Sequence, residues 1–210
     1  MGDVTQEEVP TPEGWERTVV AGYPALIRTE EATLRDLQAA MQIEAERALL
    51  PPVLDACCGS RMFWFDKNDS RALYIDKRRE THSADLGTAS TAGRAQIVVN
   101  PDRVADFTNM PFPSRSFHLV VFDPPHIEQM TDKGLLIKKY GVLQGDWRAM
   151  LAKGFEECFR VLKPNGTLIF KWGEARFPVS EILKLTPQKP LFGHKTRKTT
   201  AWVVFMKGAK

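Results

Sequence analysis

Three acids stand where this chain could do chemistry. The run Leu119-Val120-Val121-Phe122 ends abruptly in Asp123-Pro124-Pro125-His126. The apolar residues read as a buried strand, and the prolines stop it, because they cannot donate to a ladder and they restrict the residue before them. Asp123 is therefore held at a strand's carboxyl end, where open α/β sheets bind their ligands. Asp55 lies in a short strand, Val53 to Ala56, that runs into Cys57-Cys58-Gly59-Ser60. Side chains that small let a ligand approach the backbone. Asp76 closes a second strand, Ala72 to Ile75, 21 residues after Asp55. In dinucleotide-type folds an acid at about that separation receives two ribose hydroxyls, and a carboxylate can accept both at once. The pattern predicts a ribose-bearing cofactor lying beside an acidic acceptor.

Four stretches, in this order, carry a family resemblance: Val53 to Ser60, Asp106-Phe107-Thr108-Asn109-Met110-Pro111-Phe112-Pro113, Asp123-Pro124-Pro125-His126, and Phe159-Arg160-Val161-Leu162-Lys163-Pro164-Asn165-Gly166-Thr167-Leu168. Together they resemble class I S-adenosylmethionine-dependent methyltransferases. The nearest likeness is to compact phage and bacterial adenine-N6 enzymes of the Asp-Pro-Pro-Tyr type, here Asp-Pro-Pro-His. The resemblance implies an α/β, Rossmann-like fold: a mostly parallel seven-stranded sheet with a terminal β-hairpin and helices on both faces. It implies S-adenosyl-L-methionine as cofactor, held by Asp55 at the methionine moiety, by the loop residues Cys57, Gly59 and Ser60, by Asp76 at the ribose, by Asp106 and Phe107 at adenine, and by Asp123. Asp123, Pro124, Pro125 and His126 then form the catalytic turn. The Arg160 to Gly166 run serves the fold, supplying a helix end, a proline stop, a tight turn and a new strand. The chain departs from the pattern at Arg61, where the family has a second glycine, at Met110 for leucine, at His118 for aspartate, and at His126 for a larger aromatic ring.

Methyl transfer from a sulfonium is an in-line displacement, so alignment and electrostatic support dominate its catalysis. An exocyclic amine is a poor nucleophile because its lone pair is delocalised into the ring. Hydrogen bonds from its protons to the Asp123 carboxylate and the Pro124 carbonyl would return electron density to nitrogen, and His126 would stack on the base. Residues Ile127 to Gly145, with Lys133, Lys138, Lys139 and Tyr140, are long for a connector. They read as a substrate loop, with Lys138 and Tyr140 as candidate substrate contacts. The partner expected is DNA or RNA, and a base in duplex DNA must first leave the stack. Alternatives are an N-methyltransferase of a protein amide or small-molecule amine, or a non-catalytic fold relative that binds nucleic acid.

The elements that must position these residues follow from local pattern. Residues 1–28 read as an N-terminal tail and lead-in, loose to about Arg17, and 29–210 as a single domain. Thr29 is an N-cap, with Glu30 and Glu31 in the first turn and Leu34, Leu37, Met41, Ala45 and Ala48 at helical spacing. Pro51-Pro52 ends that helix. Met62 to Phe65 reads as the start of a helix or as packing beneath the loop, and Thr81 to Gly93 as a short helix or a loop. Gln96 to Asn100 and Val104-Ala105 both look extended, with Asp106 at the third strand's end. Phe117 to Phe122 is the fourth strand. Asp146 caps a helix through Leu162 with Trp147, Met150, Leu151, Phe155, Cys158 and Leu162 inward. A turn at 163–166, a fifth strand Thr167 to Lys171, a helix near Val179 to Leu185, and strands at 190–193 and 201–206 complete the chain.

Composition bounds the rest. The 210 residues, 43% hydrophobic and 26% charged, suit a globular protein with a substantial core. No apolar stretch reaches membrane-spanning length, and the acidic start resembles neither a signal nor a transit peptide, so a cytoplasmic protein is expected. The 3 cysteines offer neither metal spacing nor a disulfide framework, so no metal is expected. The net charge of +3 conceals an asymmetry: Ile182 to Lys210 holds 7 bases and no acids. That segment could grip phosphate or be a solvated surface hairpin.

Overall fold

The computed structural model describes residues 10–20, 23–85, 94–127, 141–143, 145–195 and 200–209. The chain divides into two compact units, Met1–Leu49 and Leu50–Lys210.

The first unit holds β1 (Trp15–Val20), β2 (Tyr23–Arg28) and α1 (Glu30–Ala48). The strands form an antiparallel hairpin in which Trp15 faces Arg28. Thr29 caps α1, its side chain accepting from the Ala32 amide at 3.2 Å. Gly14 sits at φ 77, and a Cβ there would lie 3.0 Å from that of Ala32, so hairpin and helix meet at a glycine. The tail expected up to Arg17 is strand from Trp15 onward. The helix expected to open the larger domain groups instead with this lead-in.

The second unit contains β3 (Val53–Asp55), β4 (Ala72–Asp76), β5 (Glu80–Asp85), β6 (Arg94–Val99), β7 (Arg103–Val104), β8 (Phe117–Phe122), α2 (Trp147–Val161), β9 (Leu162–Gly173), α3 (Val179–Ile182), β10 (Phe192–Lys195) and β11 (Thr200–Met206). Seven strands form one sheet in the order β10-β11-β9-β8-β3-β4-β7. β3 runs parallel to β4 and β8, β8 to β9 and β4 to β7, while β11 is antiparallel to β9 and β10. The chain thus starts mid-sheet, builds outward through β4 and β7, and returns to β8 on the other side of β3. The carboxyl ends of β3 and β8 form the topological switch point, where such sheets open a crevice. The mostly parallel sheet with its terminal hairpin is the architecture expected from sequence.

The core explains why these strands are nearly continuous apolar runs. Leu54, Ile75, Val120, Phe122, Leu168 and Phe170 are fully buried, as are Leu151 and Phe155 on α2. Asp146 caps α2 by accepting from the Ala149 amide at 3.1 Å. The other end is closed by Lys207, whose Nζ donates to the carbonyls of Phe159 and Leu162 at 2.5 and 2.6 Å, a cation at a helix C-terminus. One of the seven bases counted in the terminal segment is therefore engaged inside the fold. Glu157 and Arg160 of α2 clamp the approach to β8. Glu157 accepts from the Met110 amide at 2.7 Å, and Arg160 donates to the carbonyls of Met110 and Phe112 at 2.9 and 2.7 Å. The Met110-Pro111-Phe112 stretch is packing, and it anchors the turn that begins at Asp106.

Local departures from the sequence reading have local causes. Residues 56–71 connect β3 to β4 through turns, without the helix considered at Met62 to Phe65. Residues 81–85, expected as helix or loop, lie in β5, which pairs antiparallel with β6 from Glu80↔Val99 to Asp85↔Arg94. Residues 86–93 lie outside the described set. The turn at 163–166 is an irregular opening of β9, with Asn165 at φ 61 and a register shift between Phe117 and Leu119 opposite. Among the described residues no helix is long and apolar enough to cross a membrane.

Candidate active site

Asp55, Asp76 and Asp123 come together because their strands are neighbours. β3 pairs with β8 through Asp55↔Val121 and with β4 through Asp55↔Tyr74. The three acids therefore close adjacent parallel strands at one edge. The amide of Ala56 donates to the Val121 carbonyl at 2.9 Å and that of Cys58 to Ile75 at 2.8 Å, fixing the loop between them.

That loop makes two left-handed residues, Gly59 at φ 49 and Arg61 at φ 53. Arg61, where the sequence departs from the pattern it resembles, adopts a glycine-like conformation, strained for a side chain. A dense set of contacts holds it there. Its guanidinium donates to the Lys67 carbonyl at 2.5 Å, the Asn100 carbonyl at 3.0 Å and Asp102 Oδ1 at 2.7 Å, and lies 3.7 Å from the Tyr74 ring centroid. Asp102 in turn accepts from the Tyr74 amide at 3.1 Å. Arginine here keeps the turn and ties it to β4.

Asp76 is buried and binds the loop directly. Its Oδ2 accepts from the Gly59 amide at 3.0 Å and its Oδ1 from the Arg78 amide at 2.9 Å. Asp55 is fully buried; Oδ2 accepts from Trp64 Nε1 at 2.7 Å and Oδ1 from the Cys57 amide at 3.3 Å. Burial pushes its carboxyl up to about 7, against those two hydrogen bonds and with help from the nearby charges of Asp123 and Asp76. The Cys57 and Cys58 thiols are also held above their ordinary range, chiefly by burial. Their part in this loop is small size and backbone geometry. Asp106 turns back on itself, Oδ1 accepting from both the amide and hydroxyl of Thr108 at 2.8 Å. Phe107, expected beside the cofactor, has its ring in the core, 5.2 Å from that of Phe122 and against Gly154. Its side chain is a packing group, so only its backbone can face a ligand.

At Asp123 the side-chain oxygens differ. Lys171 Nζ donates to Oδ2, while Oδ1 is buried with no hydrogen-bond partner. Burial raises the carboxyl, and Lys171 and His126 oppose that rise. His126 sits with its ring against Gly173: a Cβ on Gly173 would fall 2.5 Å from its Cδ2. The Trp172 ring meets it edge-on at 6.0 Å, and its Nδ1 lies 3.4 Å from the Pro124 carbonyl. Burial lowers its basicity, with Asp123 acting the other way. Pro125 packs beside Gly141, where φ is 74 and a Cβ would lie 3.3 Å from Pro125 Cγ. The amide of Leu143 donates to the Ile127 carbonyl at 2.7 Å, tying the two ends of the segment expected to cover substrate. Lys133, Lys138, Lys139 and Tyr140 lie outside the described residues.

Sequence reasoning missed Trp64 as the partner of Asp55, and it missed Lys171. The signal for Lys171 was a lone cation late in an apolar strand. It becomes informative only with the register: Phe122 pairs with Phe170, so the next residues are Asp123 and Lys171.

Three buried or nearly buried acids gather at one edge. Lys171 pairs with Asp123 and Arg78 with Asp76, at 3.2 Å from Nε to Oδ1, so two of the charges are already balanced. Oδ1 of Asp123 is left as an acceptor without a donor among the described residues, and a ligand N–H could meet it.

No family model matches the chain, and no curated protein does. Solved structures that resemble it include an S-adenosylmethionine-dependent methyltransferase of Methanosarcina mazei, 13% identical, covering 75% of this chain and 92% of that one at a TM-score of 0.47. Another is a protein of Pyrococcus horikoshii OT3, 15% identical over 85% of this chain and 92% of its own, with a TM-score of 0.47. A third is the 1,6-didemethyltoxoflavin-N1-methyltransferase of Burkholderia thailandensis, solved with 1,6-didemethyltoxoflavin and S-adenosylhomocysteine. It is 12% identical and covers 97% of this chain and 100% of that one, with a TM-score of 0.43.

Proposed function

We propose that this chain is an S-adenosylmethionine-dependent methyltransferase acting on an exocyclic amino group, adenine-N6 in DNA or RNA. The observation that carries the reading is the unpartnered, buried Oδ1 of Asp123 at the switch point, directly before Pro124. A buried acceptor without a donor is unfavourable by about 1–3 kcal/mol, and an amino N–H of substrate removes that penalty.

The roles follow from position. Asp76 and the Gly59 backbone receive the ribose, Asp55 faces the methionine ammonium, and Asp106 Oδ2 with the neighbouring backbone receives adenine. Cys57 and Ser60 keep the loop narrow enough for the cofactor to lie along it. When bound, S-adenosylmethionine supplies a methyl on a sulfonium that keeps the C–S electron pair and leaves as a neutral thioether. Asp123 Oδ1 and the Pro124 carbonyl accept the two amino protons, which localises the nitrogen lone pair and aims it. Pro125 holds that carbonyl in place. Once nitrogen carries the methyl, Asp123 takes the surplus proton and passes it to water. His126, seated on Gly173, is the wall against which the base lies. Lys138 and Tyr140, which lie outside the described residues, are the proposed substrate contacts. A small-molecule or protein amine is the second reading, favoured by the engagement of Lys207 within the fold, which thins the basic terminal segment.

The test is transfer of a labelled methyl group from S-adenosylmethionine to separate pools of unmethylated DNA, RNA, protein and small amines. Label in a nucleic-acid pool is the expected result. Label confined to protein or small amines selects the second reading, and absence of transfer to every pool overturns both.

A further inference from the structure

Lys171 is the one cation that touches Asp123 among the described residues, and its surroundings are built to keep it there. It follows Phe170 on β9 as Asp123 follows Phe122 on β8, so the two side chains leave adjacent parallel strands at the same level. Its Nζ donates to Asp123 Oδ2. The ammonium lies 5.5 Å from the centroid of the Phe63 ring and 5.8 Å from that of Trp202. These rings meet edge to face at 5.8 Å, and Phe63 also stacks on Trp64, the donor to Asp55. Aromatic faces attract a cation but cannot take its proton. Among the described residues, the Asp123 carboxylate is the one partner that neutralises the charge.

This arrangement decides what Asp123 can do. A buried carboxyl left to itself takes up a proton. A protonated Asp123 would present an O–H, and an O–H facing a substrate N–H sets donor against donor. With Oδ2 held by a cation, the ionised form is favoured over the acid and turning about the Cβ–Cγ bond is opposed. Oδ1 is then left as an acceptor in a fixed direction. Among the described residues, the charged or titratable groups around Asp123 are Lys171 from β9, His126 from its own turn, and Asp55 and Cys57 from the end of β3. Of these, Lys171 is the one whose charge opposes protonation of Asp123 most strongly.

We propose that Lys171 is a positioning residue that keeps Asp123 an acceptor and aims Oδ1 at the substrate's amino N–H. The aim at an amine rests on the amino-methylation reading above; the hold on Asp123 does not. The experiment separates the two. Asp123 is followed by carbon-13 NMR of its carboxyl in the ligand-free protein, assigned by Asp123→Asn, in wild type, Lys171→Met, Lys171→Gln and Lys171→Arg. The pH dependence of kcat and KM is measured on the same set. Without the cation, the carboxyl should protonate about one to three pH units higher. The acid limb of kcat should move up equally, lowering kcat at least tenfold along that limb with KM for cofactor little changed and recovery at high pH. Lys171→Arg restores the wild-type profile. Lys171→Gln keeps a hydrogen bond without charge and should behave as Lys171→Met, which preserves the test if the methionine variant does not fold. A carboxyl titration unchanged in folded Lys171→Gln overturns the proposal, as does an unshifted acid limb. A shifted titration in a protein whose wild type methylates no amine supports the hold on Asp123 and rejects the amino-methylation reading instead.

Discussion

Replacing Gly173 by Ala tests the seat of His126. A Cβ at 173 would fall 2.5 Å from Cδ2 and 2.8 Å from Nε2 of that ring. Carbon contacts are favourable only at about 3.5–4.0 Å, so the imidazole must withdraw by roughly 1 Å. Backbone strain contributes nothing, because Gly173 is not in the left-handed region. A displacement of about 1 Å in a positioning group can reduce turnover by as much as ~100-fold. Base–aromatic stacking of about 1–3 kcal/mol sets a similar scale. We therefore expect Gly173→Ala to fold, to bind cofactor normally by calorimetry, and to lose about 10- to 100-fold in kcat/KM for the amine substrate. Because the effect passes through His126, Gly173→Ala should add little to His126→Ala in the double variant. Unchanged kcat/KM in Gly173→Ala, or full additivity with His126→Ala, would refute the idea that this ring must sit where it does.

Asp55→Asn should flatten the pH dependence of stability. The wild-type carboxyl, pushed from 3.8 up to about 7, holds a proton in the folded state that the unfolded chain has released, so stability is lost as pH rises through that window. Thermal unfolding of ligand-free protein at pH 5 and pH 8 measures this, and an equal pH response in the variant contradicts it. Asp76→Ala removes the acceptor of the Gly59 and Arg78 amides and should weaken S-adenosylmethionine binding by about 1.5–3 kcal/mol; unchanged affinity by calorimetry takes Asp76 out of the site. Gly154→Ala places a Cβ 2.7 Å from Phe122 Cζ and 2.8 Å from Phe107 Cδ2. Overpacking of this kind costs about 1–3 kcal/mol, visible as a lower Tm, whereas an unshifted Tm would show that the core under β8 can yield.

The site was legible in the sequence wherever local order carries it. Asp55, Asp76 and Asp123 each end an apolar run, and runs that end in Gly, Pro or a cluster of small residues announce a strand and its carboxyl edge. The fold class was legible because the motifs occur along the chain in the order that the resemblance requires. What stayed hidden depends on pairing between distant segments. Lys171 meets Asp123 only through the register of β8 and β9, 48 residues apart. Trp64 reaches Asp55 only because the β3–β4 connection is a series of turns, whereas its apolar residues suit a helix equally well. Of the ribbon of β5 and β6, the second strand was read as extended and the first was unreadable, because Thr81 to Asp85 lacks the apolar alternation of a half-buried strand. The direction of the Phe107 ring was not legible, because it is set by α2 and β8, which leaves its backbone as the part that can meet a ligand. Arg61 broke the motif in type but kept it in conformation, since side-chain contacts hold the left-handed turn that glycine would take freely.

The central claim is that the methyl group goes to an exocyclic nitrogen presented to Asp123. It is tested most directly by running the reaction with carbon-13 methyl-labelled S-adenosylmethionine and an adenine oligonucleotide carrying nitrogen-15 at N6. The account predicts a one-bond carbon–nitrogen coupling in the product spectrum, formed by wild type and reduced by orders of magnitude in Asp123→Ala, which still binds cofactor. A methyl signal without that coupling, on a ring nitrogen, a carbon or an oxygen, or a coupling formed equally by Asp123→Ala, would contradict it.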